Sequence, residues 1–251
     1  MSFDALFRPF EDLDAWLTGL FSGAPLLVAL AISFALGLRH ASDPDHLVAV
    51  TSLLAADGGD TRGAARLGFW WGVGHAGTLL VVGLPLIFLK LSLPAWLETG
   101  AERAVGLVIL ILALRVIWKW LRGDYRVDGH AHEADEPHGT SQRHLQRGPA
   151  PRHRHVRVRT PHQALSIGML HGLAGTGAVV LLLIAALPSQ LEAAAALAVF
   201  APVSLVSMAL CTTAFAWVLT RPLIQPLYRT VLIPAFGLFG LTFGLWYTGL
   251  A

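Results

Sequence analysis

Charge and cysteine are both scarce in this chain of 251 residues. Lys, Arg, Asp and Glu make up 14% of it, where an ordinary soluble domain carries about 25%. Mean hydropathy is correspondingly high, at +0.60, and a water-soluble globule is excluded. The single cysteine, Cys211, excludes an intrachain disulfide and any cysteine-built metal site. There is no Gly-x-x-x-x-Gly-Lys-Ser/Thr loop, so the chain itself hydrolyses no nucleotide. There is no His-Glu-x-x-His pair and no set of clustered histidine boxes, which argues against a metalloenzyme and predicts that the protein is not an enzyme. Apolar residues do not alternate along the chain, which argues against a membrane barrel.

What the chain does have is long apolar runs. About 20 residues of helix cross a bilayer, and runs of that kind lie at 25–56, 67–90, 103–121, 164–187, 193–219 and 230–249. The expected fold is therefore an all-α integral membrane bundle of six transmembrane helices. Residues 1–23 carry four acids and no continuous apolar core, which does not fit a signal peptide. Phe3, Leu6, Phe7, Phe10, Leu13, Leu17 and Leu20 recur there at helical spacing, so the segment reads as an amphipathic interfacial anchor. Residues 24–122 form a first half of three helices, and 164–251 form a second. Between them, 123–163 is polar and histidine-rich with almost no apolar periodicity, and reads as a disordered loop. Three helices is an odd number, so halves related by duplication would be inverted, giving a 3+3 repeat. Gly37-x-x-His40 and Gly168-x-x-His171 are the local support, and the repeat stays open on that basis. Gly68/Gly72, Gly168/Gly172 and Gly240/Gly244 are small pairs that let membrane helices approach closely.

The basic balance, with a pI near 9.0, is a matter of topology and implies no nucleic-acid partner. Arg62, Arg66, the run from Arg122 to Arg159, Arg221 and Arg229 follow the first, third and fifth spans. Only Arg8, Lys90 and Arg103 lie on the other side. The basic loops are thus expected in the cytoplasm, with both termini outside the inner (plasma) membrane.

Two histidines, two aspartates and an arginine interrupt the first apolar run, where ionisable groups are costly and mark function. Of the sixteen acids, only Asp43 and Asp45 fall well inside a span, together with His40, His46, His75 and His171. At 1.5 Å per residue, His46 lies roughly 15 Å, His75 about 12 Å and His171 about 10 Å from the cytoplasmic face, with His40 roughly 9 Å further out. Around a straight helix His40, Asp43 and His46 share a sector of about 120° while Asp45 points elsewhere. Pro44 predicts a kink or unwinding that brings Asp45 round, and Arg39, four residues before Asp43, is placed to pair with it. A lone membrane histidine more often bridges helices than binds metal, and Asp43 could serve only to neutralise Arg39. Imidazole and carboxylate together, however, suit divalent transition metals, and the lack of cysteine argues against copper(I). His40, Asp45 and His46 are therefore read as handling metal or protons, with His75 and His171 added by their shared depth. A histidine pair holding a b-type haem is the alternative of another class, against which the neighbouring acids argue. In the loop, His130, His132 and His138 sit among Asp128, Glu133, Asp135 and Glu136, a tract able to hold metal loosely.

Arg39-His-Ala-Ser-Asp-Pro-Asp-His46 resembles the H-x4-D-H signature of the nickel/cobalt transporter family, where it lies on a membrane helix and is required for metal selection and transport. Gly74-His-Ala-Gly-Thr78 is similar to that family's second motif. Gly168-Met-Leu-His-Gly-Leu-Ala-Gly-Thr-Gly177 resembles its shorter six-span branch, related to nickel permeases associated with urease and hydrogenase maturation. Longer members have one more span before the signature helix, starting from a cytoplasmic N-terminus, so dropping it agrees with the outside N-terminus deduced from charge. Two departures exist. The aspartate-rich third and fourth motifs of longer members are missing, with His171 in the corresponding region. Ser2 replaces the histidine that another class of nickel carrier uses with its terminal amine. The resemblance implies transport of nickel(II) or cobalt(II) through His40, Asp45, His46, His75 and His171, with Asp43 tuning charge. Uptake is the favoured direction and efflux the alternative. No prosthetic group is expected; the metal is cargo. The implied partners are that metal and the bilayer, with a cytoplasmic metal acceptor and a second copy of the chain as further candidates. Because histidine ligates only when neutral, binding should weaken below about pH 6.5.

The charge argument yields a direct test. A cysteine introduced within 123–163, in a Cys211→Ser background, is expected to resist an impermeant thiol reagent applied to intact cells. Ready labelling would reverse the orientation while leaving the shared layer of histidines intact.

Overall fold

The structure is a computed structural model and describes residues 25–57, 61–123 and 160–250, with Arg8, Asp12, Leu13, Trp16, Gly19 and Leu20 ahead of them. Most of the expected amphipathic segment and the loop histidines His130, His132 and His138 lie outside the described residues. Among those described, all regular structure is helical. The helices are α1 (Leu26–His40), α2 (Pro44–Asp57), α3 (Thr61–Leu89), α4 (Ala95–Leu121), α5 (Pro161–Ala186) and α6 (Gln190–Leu219). The last, α7, spans Gln225–Tyr247 and includes a π-helical turn at Tyr228–Leu232. Among the described residues, five stretches are long and apolar enough to cross a membrane: Leu26–Thr51 taken across the α1–α2 break, α3, α4, α6 and α7. Helix α5 matches them in length, at 26 residues. The outer surface carries Leu27 at 80% exposure and Leu223 at 91%, which suits hydrocarbon and not water. At the ends of α4 and α6, Arg122 and Arg221 stack on Trp118 and Trp217 at 3.6 and 3.7 Å. Such pairs of cation and aromatic ring suit the headgroup region.

The helices start earlier than the apolar runs suggest. Helix α3 begins at Thr61 and α4 at Ala95, because helical hydrogen bonding continues through polar residues that a hydropathy reading leaves out. Helix α5 begins at Pro161, inside the stretch read as loop. Thr160 caps it: its hydroxyl accepts from the Gln163 amide, and the Gln163 side chain accepts from the Thr160 amide. Pro161 follows at the first helical position, where its missing N–H costs nothing.

The first apolar run is not one helix. Pro44 has no N–H to donate, and helical bonding shortens before it: Ser42 bonds to the Arg39 carbonyl and Asp43 to that of His40. The Leu38 carbonyl, which Ser42 would satisfy in a continuous helix, accepts instead from the Ser207 hydroxyl of α6. In hydrocarbon such a substitute donor is needed. Pro44 then opens α2.

Helix α3 is the axis of the bundle. A Cβ on Gly168 of α5 would run into the carbonyl oxygen of Trp71, and one on Gly74 of α3 into that of Leu165. The two backbones therefore touch. Gly168 lies at Trp71 and Gly172 at His75, so residue numbers rise together and α3 and α5 run parallel. On its other side α3 packs through Gly68 on Thr212 and through Gly72 on Leu205 of α6. Apolar clusters fill the space on either side of the histidine layer, one around Leu67, Trp71, Val116 and Met208, the other around Leu79, Ile87, Leu197 and Phe200.

Backbone contact of this kind leaves no room for a methyl group. Gly168→Ala is expected to cost about 1–3 kcal/mol through overpacking, read as a lower melting temperature of the purified protein. Gly175→Ala on the same helix, where a Cβ meets nothing within 4 Å, should show no such loss.

Candidate metal centre

Four helices each bring polar groups to one place. The last turn of α1 supplies His40, the first turn of α2 supplies Asp45 and His46, and α3 and α5 supply His75 and His171. His46, His75 and His171 are buried, at 2%, 0% and 2% exposure. The break at Ala41–Asp43 corrects the straight-helix picture in two respects. His40 is not a separate outer residue: its ring centroid is 4.5 Å from that of His46 and 4.8 Å from that of His75. Asp45, turned inward as a broken helix allows, meets both His46 and His171. His46 also lies 4.2 Å from His171 and 5.2 Å from His75, centroid to centroid.

With every imidazole neutral, as metal ligation requires, the hydrogen bonds assign the proton positions. Asp43 accepts from Arg39 Nη2 at 2.9 Å and from His40 Nδ1 at 2.8 Å, so the neutral His40 ring keeps its lone pair on Nε2. That atom is 2.9 Å from His75 Nε2, which must then be the donor. Asp45 accepts from His46 Nδ1 at 3.0 Å and from His171 Nε2 at 2.7 Å. The remaining ring nitrogens, His46 Nε2, His75 Nδ1 and His171 Nδ1, are buried and have no hydrogen-bond partner. On this assignment all three are lone pairs. Buried polar atoms are nearly always satisfied, and unpaired imidazole nitrogens are donors that a divalent cation can use. The donor atoms fall into two groups, His40/His46/His75 and Asp45/His46/His171, with atoms in each within 4.8 Å of one another.

Asp43 is the one expected intramembrane ligand outside both groups. It accepts from Arg39 and from His40, and so orients the ring of His40 as an outer carboxylate does for a metal-binding histidine. Two neighbours escaped the sequence reading. Trp71, at 2% exposure, lies with its ring 5.4 Å from His46 and 5.7 Å from His171. Its place one helical turn before His75 was the available signal. Phe200 of α6 closes the opposite end, 5.2 Å from His40. An apolar crevice lined by Ala49, Trp71, Ile109, Leu112 and Ile167 reaches His171 from the flank.

A bundle of apolar helices around a buried His/Asp cluster defines a multi-pass membrane protein with the donor set of a divalent transition-metal site. The chain belongs to the NicO family, described as high-affinity nickel-transport protein, whose model matches residues 26–239. The family resemblance read from the motifs is borne out. The chain is 29% identical over 158 residues to a urease accessory protein, UreH, of Bacillus sp. (strain TB-90), covering 62% of each chain. It is 32% identical over 105 residues to a high-affinity nickel transport protein of Cupriavidus necator, covering 41% of this chain and 29% of that one. A hydrogenase nickel incorporation protein, HupN, of Bradyrhizobium diazoefficiens is 34% identical over 83 residues, 32% of this chain and 21% of its own. The matched regions thus span less than two thirds of each relative's length. No solved structure matches the chain.

Proposed function

We propose that the protein is a six-span permease of the plasma membrane that takes up nickel(II) or cobalt(II) through the His40/Asp45/His46/His75/His171 cluster. The observation that carries this reading is the convergence of four imidazoles and a carboxylate from four helices, with three ring nitrogens left unpartnered. Family membership supports nickel as cargo, and so do relatives named for nickel transport and nickel incorporation. Cobalt(II) suits the same donors. Uptake is favoured by the form of the Asp-Pro-Asp-His motif. The haem alternative is disfavoured because the rings pack against one another, and the crevice beside them is lined by a single histidine, His171.

An inverted 3+3 repeat is part of the proposal. Gly37 sits three residues before His40, and Gly168 three before His171. A Cβ on Gly37 would meet the Phe200 carbonyl of α6, as one on Gly168 would meet that of Trp71 in α3. Each Gly-x-x-His segment thus leans on the middle helix of the other half, as inversion requires. In this arrangement the parallel course of α3 and α5 agrees with both termini lying on one side of the membrane.

His46→Ala is expected to abolish nickel accumulation in cells while the protein remains in the membrane. Wild-type accumulation of radioactive nickel by that variant would overturn the assignment. Deleting residues 129–139, with His130, His132 and His138, should leave transport active and alter only its rate or metal dependence. A flexible tract must be ordered at each binding event and so binds weakly. Loss of all metal binding by the purified deletion variant would move the primary site into the loop.

A further inference from the structure

The two donor groups share one residue. His40, His46 and His75 form the first; Asp45, His46 and His171 form the second. Their unshared members lie against different neighbours. His75 lies one turn beyond Trp71 on α3, a rise of about 6 Å. His75 and His40 touch each other and His40 touches Phe200, whereas Trp71 packs on His171 and His46. Phe200 therefore ends the first group and Trp71 the second, with His46 between them. A neutral imidazole has a single lone pair, so His46 can complete one group or the other but not both at once.

We infer that the cluster is a pair of overlapping stations between which a single divalent ion passes, with His46 common to both. This rests on the transport reading above. The outer station is three neutral imidazoles. The inner one exchanges His40 and His75 for His171 and Asp45, the only one of its ligands that is anionic. Movement between them breaks two coordinate bonds and makes two, so the ion is never stripped of all protein ligands in a medium that cannot replace them. The sharing of His46 also fixes occupancy at one ion per chain. The stations differ in donor chemistry as well: nitrogen alone at the outer one, nitrogen and oxygen at the inner.

The test uses the full chain in lipid nanodiscs for nickel(II) binding and in proteoliposomes for transport. His40→Gln and His171→Gln each damage one station and spare the other. Each is expected to bind one nickel per chain while transport falls at least about tenfold, the lower end of what losing even an outer-shell partner costs. The double variant should bind none. X-ray absorption at the nickel edge should report only imidazole and water in His171→Gln, and a carboxylate with fewer imidazoles in His40→Gln. That contrast would not arise from general damage to the fold, and an unchanged melting profile confirms that each variant is intact. Two nickel ions per wild-type chain, or loss of binding in both single variants with the fold intact, would overturn the relay. Wild-type protein that neither binds nor moves nickel would instead overturn the transport reading beneath it.

Discussion

Proline carries no amide proton, and hydrocarbon offers no water to take the place of a lost hydrogen bond. At Pro44 the chain meets both conditions by ending α1 at His40, restarting as α2, and leaving the Leu38 carbonyl to Ser207. The centre of the protein depends on that break. On an unbroken helix His40 and His46 would stand about 9 Å apart along the axis, with Asp45 facing away. With the break, the two rings lie 4.5 Å apart and Asp45 reaches His171 on a helix from the other end of the sequence.

The same few residues manage the electrostatic cost. Arg39 and Asp43 neutralise each other at 2.9 Å, and Asp43 spends its second oxygen on His40. Both of the Asp45 oxygens are taken up by imidazole donors. Buried charges are tolerated only when paired and hydrogen-bonded. Here each carboxylate also holds imidazoles in one tautomer, so solvating the charge and presenting the lone pairs are a single arrangement.

Much of this was legible in the sequence because membranes impose simple rules. Apolar run length reports where the long helices lie. Counting 1.5 Å per residue from the cytoplasmic ends of the apolar runs puts His46, His75 and His171 in one layer, and they do meet. Pro44 announced the break, and the spacing of Arg39 and Asp43 announced their pair. What stayed hidden was geometry created by the break. Depth counted along a straight helix left His40 outside the layer, and no local pattern tells how far an interrupted helix will turn. Ser207 was hidden for a different reason: it acts on a carbonyl 169 residues away, and only tertiary structure relates the two. The start of α5 was readable but unread, since Thr160-Pro161-His162-Gln163 is a capping box.

The glycine contacts between α3 and α5 bear on how such a molecule can change shape. Where two backbones touch with no side chain between them, there is no layer of rotamers to absorb sliding. Any relative displacement must lift one helix off the other and open a void that lipid is too large to fill. Helices α3 and α5 therefore behave as one stiff beam that carries His75 and His171 together. Beside them, the crevice at Ala49, Ile109 and Leu112 is lined by side chains, which can change rotamer where two touching backbones cannot.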